Sequence, residues 1–515
     1  QSGFHENTSD PANLLWDTDI TEATENIHFA YIIDLDGKHV TYTATSIEEP
    51  GSTINSGPHP FDKTYEPDMI YLYLSAISSG KLWGYDNICV ATGGGECSSF
   101  VAPDAGTDFE WSTASGDWGT ASNWVPLTGT AGGSPPGNPN AEQQSWHTAI
   151  FGNAIGSDAR TVFTDSSVTV NSISFINTMG GSYRISGGPS VNVNASTVGT
   201  AASVGVAAGS HEFQVPFGIQ SATEVNVAAD ATLTFNNALN LNGQTLSKTG
   251  DGTMTVNNVL SAGGGTVQGL AGTISGSGTV GGDLNNSGAT VAPGNHSGFL
   301  PRRDVLAVDG SYTQGSGGTL AMEIEGLAGP GEGGHDQLAV TGTASLDGTL
   351  DVTPVGGYAD PTVRGTSDSF TLLTSTGLSG TFATVNYDGA ALDSGGHAGN
   401  GLFRKVDYTA NDVVFTNLLA KSGDVEGDSD VDITDFNALA SNYDPSGANA
   451  PHDWTEGDFD DNDTIDLTDF NGLASNFSPG GYGGGADQVP EPASWVLAAM
   501  AILAGTSLIG RVWRR

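Results

Sequence analysis

Basic residues are scarce in this chain: Lys and Arg together number 15 in 515 residues, against 58 Asp and Glu. A net charge of -43 excludes proteins that grip nucleic acid, because phosphate binding needs a basic surface. It suits a protein outside the cell, among divalent cations or in salty water, where an acidic surface stays solvated. Cysteine is almost absent. Cys89 and Cys97 lie close together across a Gly-rich turn, and no metal-type cysteine spacing occurs. In an exported protein this pair is expected to form a local disulfide closing a hairpin, with buried free thiols as the other reading. The ten histidines show no ligand-like spacing. An initiator Met and a hydrophobic leader are also missing at Gln1, as expected of a processed export product or a fragment.

Long apolar runs are missing except for one. Residues 493–510 (ASWVLAAMAILAGTSLIG) are uninterrupted apolar and small residues, followed at once by Arg511, Arg514 and Arg515. The run is about long enough to cross a bilayer as a transmembrane helix. The basic cluster then puts the C-terminus in the cytoplasm and everything before Pro492 outside.

Glycine is abundant, at 74 residues. Residues 1–103 alternate apolar and polar side chains, as in His28-Phe29-Ala30-Tyr31-Ile32-Ile33 and Met69-Ile70-Tyr71-Leu72-Tyr73-Leu74, a strand signal. Asp36-Gly37 reads as a hairpin turn. From 108 to 420 the texture changes to short Val, Thr, Ile and Leu runs punctuated by Gly, Asn, Ser and Asp, such as Ala231-Thr232-Leu233-Thr234-Phe235. Many short strands with Asn- and Gly-rich turns predict an all-β chain with a solenoid body, each coil burying its face on the next. Coils of roughly 20 residues at ~4.8 Å per rung would give a rod on the order of 50 Å. An acidic module follows at 421–478, then a Gly-rich linker at 479–488 and the tail at 489–515.

Three segments carry family resemblances. Gly84-Tyr85-Asp86-Asn87-Ile88-Cys89-Val90 resembles the last strand of lectin-type jelly rolls, so 1–103 is expected to be a jelly-roll-like piece. Lys248-Thr249-Gly250-Asp251-Gly252-Thr253-Met254-Thr255-Val256 resembles the start of the autotransporter-associated β-strand repeat. The run from Gly272 to Gly282, then Val291-Ala292-Pro293-Gly294-Asn295 and His335-Asp336-Gln337-Leu338, continue that pattern. Trp111, Trp118 and Trp124 resemble the N-terminal edge of such passengers. This resemblance implies a right-handed parallel β-helix, and with no C-terminal barrel it excludes autotransport.

The strongest chemical signal is a duplicated acidic loop. Two copies begin 34 residues apart, at Asp424 and Asp458, and each ends in the same Ser-Asn-aromatic (Ser441-Asn442-Tyr443; Ser475-Asn476-Phe477). Oxygen donors fall at loop positions 1, 3, 5, 9 and 12, with a backbone carbonyl available at position 7, the alternation that suits a hard cation of six to eight oxygen ligands. Val431 and Ile465, at position 8, are expected to pair the two loops as a tiny strand, and each loop runs into a helix. The module resembles type I dockerin, the calcium-dependent partner of cohesin. The resemblance implies two calcium sites, at Asp424, Glu426, Asp428, Asp430, Asp432 and Asp435, and at Asp458, Asp460, Asn462, Thr464, Asp466 and Asp469. Ser429 and Asp463 stand at position 6, where Gly eases the turn.

Pro490, Glu491 and Pro492 before the apolar run and the arginines resemble the PEP-CTERM sorting signal, which an exosortase reads. The resemblance implies a Gram-negative-type bacterium, a tail held briefly in the inner membrane and an ectodomain kept at the surface or released to matrix.

Catalytic signals are thin. Gly276-Ser277-Gly278-Thr279-Val280-Gly281 matches a dinucleotide fingerprint but has no helix after it in the pattern. Glu323 and Glu325 would share a strand face, as paired glycosidase carboxylates do, and His335-Asp336 lacks a recognisable nucleophile. Lyase chemistry on acidic sugars needs a basic residue, yet Lys248 is the sole Lys or Arg between Arg184 and Arg302. The expectation is a non-catalytic structural or adhesin-like surface protein. The alternatives are a carbohydrate-active or carbohydrate-binding component of a cohesin-docked complex, with Trp16, Tyr31, Tyr71, Tyr73 or Trp83 touching polysaccharide, and a self-associating filament or surface-layer subunit.

Overall fold

The computed structural model describes residues 108–127, 135–137, 147–196, 199–258, 264–294 and 303–482, together with strands between Ser2 and Pro60. Two compact units divide the chain, Gln1–Pro103 and Asp104–Arg515. Cys89, Cys97, Pro490, Glu491, Pro492, the jelly-roll-like strand at 84–90 and the apolar run at 493–510 lie outside the described residues. Among the described residues no helix is long and apolar enough to cross a membrane.

In the first unit, Ile27–Asp34 and His39–Ser46 pair antiparallel across the Asp36-Gly37 turn, from Ile27 opposite Ser46 to Asp34 opposite His39. Thr53–Asn55 and His59–Pro60 pair with the second of these strands, and Ser2–His5 pairs with Leu14–Thr18.

The second unit is a stack of coils. Successive strands, such as Thr148–Phe151, Ser172–Phe175, Ala202–Val206 and Thr223–Val227, lie parallel and in register. They build two twelve-stranded sheets and, beside them, a four-stranded and a six-stranded sheet. At ~4.8 Å between strands, a twelve-stranded sheet runs roughly 50 Å. The fold is mostly β with long parallel sheets, and it resembles a β-helix. Period-two alternation explains it: Thr232, Thr234 face out while Leu233 and Phe235 face in. Stacked coils bring like residues together inside, so Phe151 stacks on Phe175 at 5.1 Å and Phe213 on Phe235 at 5.5 Å.

Both ends of the stack are covered. At the N-terminal end Trp124–Pro126 turns back antiparallel on Asp108–Trp111. Trp111, Trp118 and Trp124 fill the interior there, with Trp111 and Trp118 each 5.1 Å from Trp124. The indole N–H of Trp118 donates to Pro136 O at 2.8 Å, and that of Trp124 to Trp118 O at 2.8 Å. At the other end the parallel order stops: Thr366–Thr374, Asp412–Leu419 and Leu402–Tyr408 pair antiparallel.

The repeat-like segment at 248–256 forms the strands Thr245–Thr249 and Thr253–Val256. Lys248 points inward and is fully buried. Its Nζ donates to the carbonyls of Thr249 (2.8 Å), Gly250 (2.8 Å) and Ala271 (3.1 Å), closing a corner between two coils. Burial pushes its pKa down to about 8. The one cation that lyase chemistry would need in this stretch is therefore spent inside the wall. After Gly276 the chain enters another strand, Thr279–Val280, so the dinucleotide pattern lacks its helix here.

Candidate metal centre

Each acidic loop leads into a short helix, α1 (Ile433–Ser441) and α2 (Leu467–Asn476). The sequence starts them alike. Asp432 and Asp466 are N-caps that accept from Thr434 N–H and Thr468 N–H, and Asp435 and Asp469 reach back to the cap N–H to complete capping boxes. Positions 9 and 12 of each loop thus hold a helix terminus as well as offering carboxylate oxygen.

In the first loop Asp424 is buried, and its carboxylate accepts from the N–H groups of Gly427 (2.5 Å), Asp428 (3.2 Å) and Ser429 (3.2 Å) and from the Tyr482 hydroxyl (2.6 Å). Asp435 accepts from Val425 N–H at 2.8 Å and Asp432 N–H at 2.7 Å. Position for position, the second loop repeats this: Asp458 accepts from Asn462 N–H and Asp463 N–H, and Asp469 from Phe459 N–H and Asp466 N–H. The loops wrap around their own carboxylates.

Two groups of oxygens converge. Asp430, Asp432 and Asp435 place one carboxylate oxygen each within 4.8 Å of the others, as do Asp458, Asp460 and Asp469. Oxygens at 2.3–2.6 Å from one hard cation lie about that far apart. Of the other residues named from sequence, Asp424, Glu426 and Asp428 fall outside the first group and Asp466 outside the second, while Asp428 Oδ1 accepts from Asp430 N–H at 3.0 Å. In the second loop Asn462 Oδ1 accepts from the N–H and hydroxyl of Thr464. Asp430 Oδ1 is buried with no hydrogen-bond partner among the described residues, an acceptor that a cation would satisfy. The residues present therefore fit a divalent ion in each loop.

Position 6 carries a cost. Ser429 and Asp463 adopt φ of 74° and 63°, the left-handed region that Gly enters freely.

The expected pairing of the two loops through position 8 does not occur. Val431 bridges to Ser478 and Ile465 to Asp444, so each loop pairs with the segment that follows the helix of the other copy. Ser478 is the counterpart of Asp444, 34 residues on, so the crossed pairing respects the duplication. Gly423 packs on Leu473 of α2, and Gly457 on Leu439 of α1, in the same crossed sense.

The module shares a core with the end of the β stack. Phe403, Leu418 and Ala420 bury against Val425, Val431, Leu439, Trp454 and Phe459. Lys405 Nζ donates to Glu426 O at 2.6 Å, and Trp454 N–H donates to Asp424 O at 2.7 Å. Arg364 lies 4.3 Å over the Trp454 ring and donates to Ala420 O at 3.1 Å. Gly427, at loop position 4, lies against the Phe403 ring so closely that a Cβ there would strike it. Sequence reading missed this joint, because Phe403, Lys405 and Trp454 carry no motif of their own.

Crowded carboxylates titrate abnormally. Burial first, then the neighbouring Asp435, Asp428, Asp432 and Asp424, push Glu426 up to about 7. Burial, opposed by the two backbone N–H groups, raises Asp435 to about 6. Asp424, Asp430 and Asp460 are also raised, again chiefly by burial. A carboxyl whose folded pKa exceeds its unfolded value near 4 binds extra protons in the fold, so ion-free stability falls as pH rises through that window. Thermal melts of chelated protein are expected to show the module most stable near pH 5 and losing stability toward pH 7.5. A melting temperature that climbs over this range in chelator would contradict the assignment.

The other candidate groups serve the fold. Glu325 pairs with Arg303 and accepts from Gly333 N–H, so it is not free to partner Glu323 in hydrolysis. Asp336 is buried and accepts the N–H groups of Asp304 and Glu323, both at 2.9 Å. His335 Nε2 meets Thr371 O at 3.2 Å, and burial lowers its pKa.

No protein-family model matches the chain, and a search of curated proteins returns no match.

Proposed function

We propose that this chain is an exported, non-catalytic cell-surface protein: a right-handed β-helical stalk whose C-terminal end is held shut by a dockerin-like module carrying two calcium ions. The observation that carries this reading is the common core of Phe403, Leu418, Val425, Trp454 and Phe459, which makes the ion loops part of the stalk's end wall. Calcium would supply charge neutralisation to carboxylates that the fold already holds together, and the PEP-CTERM-like tail would deliver the protein to an exosortase and the surface. The engagement of Lys248, Glu325 and Asp336 in structural bonds supports a non-catalytic body.

A second reading is favoured by one symmetric feature. Ile433 and Leu467, each 61% exposed, occupy equivalent positions in the two helices, and so do Tyr443 and Phe477, at 46% and 42%. Duplicated exposed apolar residues beside the ion loops suit docking to a cohesin-type partner, in the manner of a polysaccharide-processing complex. Assembly into filaments through stacked ends has less support, because antiparallel strands cover both edges of the coil stack.

Hydrogen exchange of the full chain with calcium or chelator tests the cap. Calcium is expected to slow exchange in Leu402–Tyr408 and Asp412–Leu419 as well as in the loops. Protection confined to residues 424–476 would refute it and leave a free docking module.

A further inference from the structure

The outward face of the second twelve-stranded sheet is ordered in a way its fold does not require. Thr232, Thr253, Thr273, Thr290, Thr319 and Thr349 stand in one register on neighbouring strands. Between this column and the next outward ones runs a groove of about 280 Å³. Thr253, Thr273 and Thr290 line one side; Ala292 and Ala321, small residues in the adjoining column, open the middle; Glu323 and Thr353 line the far side. The groove crosses five neighbouring strands, roughly 20 Å at ~4.8 Å per strand. One strand further along the alanine column, opposite Ala321, is Asp351, whose Oδ1 is buried with no hydrogen-bond partner among the described residues.

Strand propensity alone accounts for threonine on a β face. It does not account for a trough cut by two alanines beside the column, nor for an unpaired carboxylate oxygen in line with it.

The lining dictates the ligand. Threonine hydroxyls donate and accept, and the Glu323 and Asp351 carboxylates accept. Threonine and alanine methyls present a shallow apolar surface. No Lys or Arg lines the groove, and the chain carries a net charge of -43, so an anionic polymer would be repelled. We propose that this groove binds a neutral, hydroxyl-rich polymer, a polysaccharide strand lying along the stacked coils. Ligand hydroxyls would give protons to the carboxylates and exchange hydrogen bonds with the threonines, while ring C–H faces would rest on the methyls. The site is remote in sequence from the calcium loops and does not rest on the cap.

Affinity electrophoresis of the full chain through gels containing hydroxyethyl cellulose, a soluble β-1,3-glucan or polygalacturonate tests this, with chelator present so that the result is independent of calcium. Retardation by at least one neutral glycan and none by polygalacturonate is expected. Two variants keep the result tied to the groove: Thr273→Val with Thr290→Val preserves shape and removes hydroxyls, and Ala321→Arg fills the trough. Each should weaken binding at least tenfold while leaving the thermal transition in place. No retardation by either neutral glycan, retention by polygalacturonate, or retardation that both variants leave unchanged would overturn the proposal.

Discussion

Asp435→Ala is expected to remove one of two bound calcium ions and to loosen the end of the coil stack with it. Asp435 is buried, contributes an oxygen to the first convergent group and ties Val425 and Asp432 to the start of α1. An ion present at 100 times its dissociation constant stabilises the folded form by about 2.7 kcal/mol. Losing the capping box adds about 1 kcal/mol. A loss of roughly 3–4 kcal/mol follows, visible as a lower calcium-dependent melting transition and a calorimetric stoichiometry of one. Asp469→Ala should also reduce the stoichiometry to one. Its effect on exchange in Leu402–Leu419 should be smaller, because Glu426 and Gly427 of the first loop touch Lys405 and Phe403 directly. Equal exchange in the two variants, or two ions still bound to either, would refute the inequivalence.

Trp118→Ala is expected to weaken the opposite end without touching calcium. Trp118 is completely buried, lies 5.1 Å from Trp124 and 5.5 Å from Phe151, and satisfies its indole N–H on Pro136 O. Truncating such a side chain costs about 3–5 kcal/mol, and the cavity would sit under the first coils. Denaturant unfolding should show an earlier transition for the N-terminal coils, with calcium affinity unchanged. A cost below about 1 kcal/mol would mean that the three tryptophans are not the plug described here.

The body of the fold was legible because its signal is local. Alternation in Ala231-Thr232-Leu233-Thr234-Phe235 sets which side chains face in, and a strand needs no distant information to obey it. The duplicated loops were legible for the same reason: a spacing of 34 residues fixes both ion-binding segments and both helices. What stayed hidden depends on partners far along the chain. Val431 and Ile465 carry the right residue type for strand pairing, but the choice of Ser478 and Asp444 over each other comes from how α1 and α2 cross. Lys248 reads as a surface cation in any local pattern, yet a register shift at its strand turns it inward, where three carbonyls receive it. The boundary near residue 420 marks a change of composition and not a change of packing, since Ala420 is buried in the core common to both sides.

The two ends of the stack differ in what holds them. One is sealed by aromatic side chains that nothing in solution can withdraw, the other by carboxylates that need an ion to lie together. In a linear array each coil leans only on its neighbours, so failure travels from the weaker terminus. Falling calcium would then give this molecule a direction of collapse: it would unravel from the side nearest its tail, shedding that tail before the coils near its tryptophans gave way.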